Sequence, residues 1–394
     1  MKLEFCCPTL FGLEGIVADE LRFGGKLEDV RAENGRVLFS GDEDTLIWAN
    51  MNLRCAERVL IRLASFRAET FDQLFEGVKA IAWEDLLPVD GQFPVKGHAL
   101  NSKLYSVPGC QKIIKKAIVT RLSARYGVNW FEETGARYQV QFSIMHDIAE
   151  IYLDTSGAGL HKRGYRANAN AAPLRETLAA AMVKLARWRG RDTLIDPFCG
   201  SGTIPIEAAM IALGRAPGLM RSYDAEKWTW IAAERWKQAR ERAIAAVRTD
   251  AAPVLYGSDI DPACVQLAQE NAKKAGVARW IRFEQADAAA RDYPDSGVLF
   301  ANPPYGERLL DHESAQALYR AMGRTLGKSS LRQYYLTSDE EFERFYGYRA
   351  DKRRKLYNGM IKCDLYMYFK PAAARKLFGR EDGKVPTQRK PKHG

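Results

Sequence analysis

From Glu176 onward, strand-like and helix-like segments alternate, which restricts this part of the chain to a layered α/β fold. ETLAAAMVKLARW reads as a helix, DTLIDPF as a strand, TIPIEAAMIALG as a helix and APVLYGSDID as a strand. PACVQLAQENAKKAG reads as a helix with proline in its first turn and glycine at its end. RWIRFEQAD and SGVLFANPP are strand-like, ESAQALYRAMGRTLG is helical, and RQYYLTSD and IKCDLYMYFK are strand-like again. Strands joined through helices pair in parallel with right-handed crossovers, so residues 173–371 are expected to form one domain on a mostly parallel sheet. A helical insertion between the first two units, RAPGLMRSYDAEKWTWIAAERWKQARERAIAAV, carries Trp228, Trp230 and Trp236, which read as packing residues.

At 394 residues the chain is too long for one core. Residues 1–65 mix short strands and helices in a small sandwich-like α/β module, with GRVLFSG as a strand between glycines. Residues 66–155 repeat the style. There CQKIIKKAIVTRLSARYG is an amphipathic helix with Ile113, Ile114, Ala117, Ile118 and Leu122 on one side. Its Lys112, Lys115 and Lys116 lie elsewhere, as a solvated face or a phosphate-binding one. YQVQFSIMHDIAEIYLDTSG reads as two strands around a turn at His146-Asp147. Residues 156–172, rich in Gly, Ala and Asn, look like a linker bearing His161, Lys162, Arg163 and Arg166. Residues 372–394 are basic, lack a periodic apolar face and are expected to be a disordered tail.

The net charge of +10 favours a polyanionic partner. The seven cysteines (Cys6, Cys7, Cys55, Cys110, Cys199, Cys264 and Cys363) are scattered, odd in number and contain no C-x-x-C pair. That pattern argues against a disulfide framework and a zinc site. The five histidines show no metal-ligand spacing, so no metal is expected. The N-terminus has no long apolar stretch of a signal peptide, and no apolar run reaches the roughly 18 residues of a membrane span. A reduced, cytoplasmic protein is the expectation.

Chemistry-bearing residues fall at successive strand ends. DPFCGSGTIPIEAA (196–209) leaves a strand and opens a helix, with Gly200 and Gly202 permitting a tight turn. It is not a G-x-x-x-x-G-K-[ST] loop, which argues against a nucleoside triphosphate. Nor is it the dinucleotide fingerprint of a dehydrogenase. The next strand ends in Asp259, placed to accept both hydroxyls of a ribose, while Asp261 can equally cap the following helix. The third ends in EQADAA, with Asp287 placed to accept from an amine. The fourth ends in Asn302-Pro303-Pro304-Tyr305, where two prolines forbid any continuation of the ladder.

In this context DPFCGSG resembles the cofactor turn of class I S-adenosylmethionine-dependent methyltransferases, and NPPY resembles their [DNS]-P-P-[YFW] motif for planar exocyclic nitrogens. The resemblance implies a Rossmann-like domain with a seven-stranded, mostly parallel sheet. It places Asp196, Pro197, Phe198, Gly200, Gly202, Thr203, Asp259, Ile260, Asp287, Ala288 and Asn302 around S-adenosylmethionine, with Asp196 on the amino group and Ile260 against the adenine. It gives Asn302, Pro303, Pro304 and Tyr305 to catalysis. An aromatic amine is a poor nucleophile because its lone pair enters the ring. The Asn302 and Pro303 carbonyls can accept its N–H bonds, and Tyr305 can stack on the base. Cys199 occupies the cofactor turn, with no cysteine around residues 302–310, and reads as a packing residue rather than a nucleophile.

ANPPYGERL, GLHKRGYR, APLRETLAAAM and DPFCGSGTIPIEAAMIA look like bacterial THUMP-domain guanine-N2 RNA methyltransferases, and SVPGCQKIIKKAIVTRL resembles part of a THUMP domain. The likeness covers nearly all of the chain except the tail. It implies a ferredoxin-like domain over 1–65, a THUMP domain over 66–155, and methylation of a guanine in RNA, with large-subunit ribosomal RNA foremost. Lys112, Lys115, Lys116, Arg163, Arg166 and Arg308 are the candidate RNA contacts. Rival readings are a transfer-RNA guanine-N2 enzyme, an adenine-N6 enzyme, and an RNA-binding assembly factor without turnover.

Overall fold

The computed structural model describes residues 2–166, 174–304 and 312–379, and its strands form two seven-stranded sheets. The first begins as β1 (Leu3–Pro8), α1 (Glu14–Asp19), β2 (Val30–Glu33), β3 (Arg36–Gly41), α2 (Glu43–Asn52) and β4 (Leu60–Arg67). These strands pair antiparallel in the order β2-β3-β1-β4, the ferredoxin-like arrangement, in one sheet rather than a sandwich. Asp42 starts α2 by accepting the Thr45 N–H at 2.9 Å.

The chain then adds α3 (Phe71–Lys79), β5 (Val95–Leu100), α4 (Val107–Tyr126), β6 (Gln139–Met145) and β7 (Ile148–Asp154) to the same sheet. β4 pairs with β1 on one edge and with β7 on the other, and the order continues β4-β7-β6-β5. The expected boundary at residue 65 therefore falls inside a shared strand, which pairs with β1 at Leu60 and Ile61 and with β7 along its length. His146 (φ +51°) and Asp147 (φ +63°) form the two-residue β6–β7 turn, whose positive φ values suit the twist of a hairpin. In α4, Ser106 caps the start, Gly127 ends the helix in the left-handed region, and Cys110, Ile114, Ala117, Ile118 and Leu122 are buried.

The second sheet is built from α5 (Glu176–Leu185), β8 (Leu194–Asp196), α6 (Thr203–Ala212), α7 (Ala233–Ala245), β9 (Leu255–Asp259), α8 (Pro262–Lys274), β10 (Ile281–Gln285), β11 (Val298–Ala301), α9 (His312–Leu326), β12 (Arg332–Thr337), α10 (Phe342–Tyr346), β13 (Lys352–Asn358) and β14 (Ile361–Tyr368). The order is β10-β9-β8-β11-β12-β14-β13, with the first five strands parallel and β14 antiparallel to both its neighbours. The chain moves outward from β8 to β10 and then returns to β11 on the other side of β8. That reversal opens a crevice at the carboxyl ends of β8 and β11.

The two halves are joined by buried polar groups. Arg163 is 2% exposed, ion-pairs with the fully buried Glu207 of α6 at 3.3 Å, and donates to the carbonyl of Leu160 at 2.8 Å and to that of Arg54. The stretch expected as a linker is thus a packed joint over its described residues, 156–166. The insertion reinforces it. Trp228 stacks on Tyr138 with centroids 5.0 Å apart, and its Nε1–H donates to the Arg137 carbonyl at 2.8 Å. Trp236 stacks on Tyr223 at 5.2 Å. The expected tail also needs correction. Residues 372–379 are folded onto the domain, because buried Arg375 donates to the carbonyls of Leu326, Gly327 and Leu331 at 2.7–3.1 Å. Residues 380–394 lie outside the described set.

Arg163→Ala strands a buried carboxylate on α6. It is expected to lower stability by about 3–5 kcal/mol, while Arg163→Met with Glu207→Leu recovers most of the loss. Urea unfolding followed by tryptophan fluorescence measures both. A single variant as stable as the parent contradicts the assigned role of the pair.

Candidate active site

A cavity of about 570 Å³ opens at the carboxyl ends of the parallel strands. The turn after β8 lines it with Asp196, Pro197, Phe198, Cys199 and Gly200, and α6 adds Thr203. The end of β9 contributes Asp259, Ile260 and Asp261, and the loop after β10 contributes Asp287 and Ala288. Asn302 and Pro304, after β11, close the set. Two expected residues stand back from the wall: Gly202, and buried Pro303 between Asn302 and Pro304. Tyr305 and Arg308 lie outside the described residues.

The two glycines of the turn serve different ends. Gly200 has φ +50°, and a Cβ added there would meet nothing within 4 Å, so the backbone presents itself openly to the cavity. Gly202 has φ +80°, and a Cβ there would lie 3.0 Å from the Ala268 Cβ and 3.2 Å from the Phe283 ring. It lets α6 pack closely on α8 and β10. The turn is fastened to β9, because Gly200 N–H donates to Asp259 Oδ2 at 2.9 Å. Asp261 N–H donates to Asp259 Oδ1 at 3.1 Å. Each carboxylate oxygen still keeps acceptor capacity for a diol.

Asp196 is 1% exposed and accepts one hydrogen bond, from Phe198 N–H at 3.1 Å. Burial pushes its pKa up to about 8, and the negative charge of Asp259 pushes the same way against the Phe198 bond. A carboxyl so placed takes a proton or a cationic partner, and an α-amino group meets that demand. Ile260 is 67% exposed at the cavity wall, an apolar surface suited to covering by a flat ring. Asp287 accepts the Ala289 N–H at 2.8 Å, which shapes its own loop. Asp261 caps α8 by accepting from Ala263 N–H at 2.9 Å and also lines the cavity, so both readings of that residue apply. These groups fit an amino acid joined to a nucleoside.

Asn302 carries the most telling atom. Its Oδ1 is buried and has no hydrogen-bond partner among the described residues. An acceptor held that way costs about 1–3 kcal/mol. Such an atom fits an N–H donor delivered by a ligand. Cys199 has the opposite character. It is buried, and burial followed by the charges of Asp196 and Asp259 holds its thiol well above the usual range, so it packs rather than attacks.

The candidate RNA contacts divide. Lys112 and Lys116 are exposed on α4. Lys115 is half-buried: its Nζ donates to the Phe93 carbonyl at 3.1 Å, pairs with Glu133 and sits 3.5 Å from the Phe93 ring centroid. Arg163 is removed from any RNA surface by its burial against Glu207. Arg166 pins the site from behind, donating to the Leu174 carbonyl at 3.2 Å and to Thr203 Oγ1, with Glu176 at 3.6 Å. Sequence reasoning missed Leu174, Ser314 and Leu318 in the wall, and Tyr293, whose hydroxyl donates to the Ala288 carbonyl at 2.7 Å. Only Ser314 and Leu318 left a trace, as residues four apart on one face of α9.

Three family models match in order along the chain. They are the RlmL ferredoxin-like domain over residues 4–60, the THUMP domain over 68–154, and the RMKL-like methyltransferase domain over 163–367. The gap between the first two coincides with most of the shared strand β4. A Bacillus subtilis protein named putative RNA methyltransferase YpsC is 45% identical over 374 residues, covering 93% of this chain and 96% of that one. Ribosomal RNA large subunit methyltransferase K/L of Syntrophotalea carbinolica is 36% identical over 402 residues, covering 98% of this chain and 56% of that one. The chain thus spans about half the length of such K/L relatives. SMU.472, described as a putative methyltransferase complexed with SAH, matches with TM-score 0.87 and 39% identity over 93% of this chain and 98% of that one. A Listeria monocytogenes structure, described as a predicted N6-adenine-specific DNA methylase, matches with TM-score 0.88 and 45% identity over 94% and 97%.

The raised pKa of Asp196 has a measurable sign. The stability it contributes is intact below its unfolded value near 4 and is lost as pH rises toward 8. Asp196→Asn removes this dependence, so from pH 5 to 8 the variant should gain up to about 4 kcal/mol on the parent. Urea denaturation of both proteins across that range tests it, and parallel pH curves contradict it.

Proposed function

The chain belongs to the RMKL-like methyltransferase family, and from that premise we propose that it methylates the exocyclic N2 amine of a guanine in RNA, with large-subunit ribosomal RNA as substrate. S-adenosylmethionine is the methyl donor, consistent with the SAH complex of a relative sharing 39% identity. When bound, it supplies an electrophilic methyl group. The observation that carries the reading is Asn302 Oδ1, a buried acceptor without a partner among the described residues, on a side chain that lines the same cavity as Asp196.

The residues divide the work. Asp196 holds the cationic amino group and becomes ionised by doing so, since a neighbouring cation lowers a carboxyl pKa that burial had raised. Asp259 accepts from the ribose hydroxyls, Ile260 covers one face of the adenine, and Asp287 accepts from its amine. Beside β8, Asn302 Oδ1 accepts one N–H of the target amine, and the main-chain carbonyl of Pro303, a buried residue set back from the wall, is the acceptor for the other. Two acceptors orient the nitrogen and stabilise the positive charge that grows on it during transfer. Prolines at 303 and 304 keep these acceptors rigid. The methylated amine is strongly acidic and gives its proton to water, so no residue need act as a base.

RNA is favoured over DNA by the N-terminal half. A THUMP domain fused rigidly to the catalytic sheet through Arg163–Glu207 and Trp228–Tyr138 supports an RNA substrate, and an adenine-N6 DNA enzyme would leave it without a role. Guanine is favoured by the extended likeness around NPPYGERL rather than by the cavity itself.

Purified protein, RNA and radiolabelled S-adenosylmethionine test the reading. Nuclease digestion is expected to release labelled N2-methylguanosine. Asn302→Ala should lower the rate about 10²–10³-fold while S-adenosylhomocysteine affinity stays within a few fold. A variant that loses cofactor affinity instead contradicts the role given to Asn302, and labelled N6-methyladenosine contradicts the choice of base.

A further inference from the structure

The β13–β14 hairpin rises beside the cavity. Tyr335 of β12 is paired both with Ala301 of β11 and with Tyr366 of β14, which in turn faces Arg353 of β13. Asn302 is therefore level with Leu365 and Arg354. The hairpin continues past that level through Asn358, by roughly 13 Å at about 3.3 Å per residue. It stands two to three strand spacings to the side, roughly 10–14 Å. Its tip is tied to the cavity wall, because Arg175 N–H donates to Asn358 Oδ1 at 3.3 Å and the neighbouring Leu174 lines the cavity.

Apolar side chains are held in the open here. Met360 at the tip is 98% exposed. Phe11, from the ferredoxin-like domain, is 60% exposed and meets Tyr357 of β13 edge-on with centroids 6.4 Å apart. The Phe11 loop is fixed in place rather than loose. Glu14 accepts from Gly12 N–H and Gly35 N–H, each at 2.9 Å, and Arg354 donates to the Gly12 carbonyl at 2.7 Å. Gly35 has φ +74°, and a Cβ there would come within 3.2 Å of the Phe11 ring. The strand beneath reads Lys352-Arg353-Arg354-Lys355, with Lys352 and Lys355 exposed. The facing carboxylates Asp364 and Glu343 are engaged by Arg353, and Glu340 by Lys362.

We propose that Phe11, Tyr357 and Met360, together with Lys355, form a ledge that receives the single-stranded RNA flanking the target nucleotide. The inference rests on the RNA substrate proposed above. A base whose exocyclic amine reaches Asn302 must leave its stack, and its neighbours then lose a partner. The exposed ring of Phe11 and the half-buried ring of Tyr357, with cations beside them, replace that stacking and neutralise the phosphates, without reading sequence. Two domains contribute to the ledge, so it would also couple the ferredoxin-like domain directly to substrate placement.

Fluorescence anisotropy with a short labelled single-stranded RNA tests the ledge on the full chain, with S-adenosylhomocysteine titration in parallel. Phe11→Ala with Tyr357→Ala should weaken RNA binding about a hundred-fold, or ten-fold per ring, and leave S-adenosylhomocysteine affinity unchanged. Phe11→Trp with Tyr357→Trp should restore it. Parent-like RNA affinity in the alanine pair overturns the ledge alone. Failure of the parent itself to bind RNA overturns the ledge and the proposed substrate together. A ring-dependent change in sedimentation with unchanged RNA affinity assigns the surface to a second copy of the chain and also overturns the proposal.

Discussion

The carboxylate of Asp259 holds the site together. By accepting from Gly200 N–H at 2.9 Å and Asp261 N–H at 3.1 Å, it locks the turn after β8 to the end of β9. That lock sets the floor of the cavity. It leaves Asp196 in a dry place where its charge is unwelcome without a cation, and it starts α6 where Gly202 can pack on Ala268. The same carboxylate raises the pKa of Asp196, so the two acids are not independent. The two backbone hydrogen bonds take one site on each Asp259 oxygen and leave each oxygen able to accept once more.

A second constraint is the joint between the halves. Glu207 lies on the helix that begins at the cofactor turn, and its partner Arg163 comes from the segment leaving the N-terminal sheet. Three residues later Arg166 reaches Thr203 at the first turn of the same helix. The insertion closes the joint from the other side through Trp228 and Tyr138. The N-terminal half is therefore a fixed extension of the site rather than a tethered module, and that rigidity gives the ledge on β13 its meaning.

Much of the site was legible because it repeats. Asp196 and Asp259 are the last residues of their strands, Asp287 follows the third strand by two residues, and Asn302 follows the fourth in a proline corner. What escaped depends on contacts distant in sequence. The sharing of β4 by two domains requires pairing with β7, some ninety residues away, along an edge that looks like any other short strand. Arg163 sits in a run of basic residues that reads as a solvated linker, and only Glu207, 44 residues on, makes it a buried strut. Arg375 was hidden in the same way by a basic, aperiodic segment, since its partners are main-chain carbonyls that no side-chain pattern announces. Lys115 belonged to an apparently uniform row of lysines, and only the fold shows that it alone of the three turns toward Glu133 and Phe93.

If this crevice methylates the N2 amine of a guanine in RNA, one modified nucleotide in the cell depends on it. Mass mapping of modified nucleotides in ribosomal RNA, transfer RNA and DNA, from cells with and without the gene, tests it most directly. One N2-methylguanine should disappear from large-subunit ribosomal RNA while DNA is unchanged. Loss of N6-methyladenine from DNA, with every RNA guanine still modified, would contradict it.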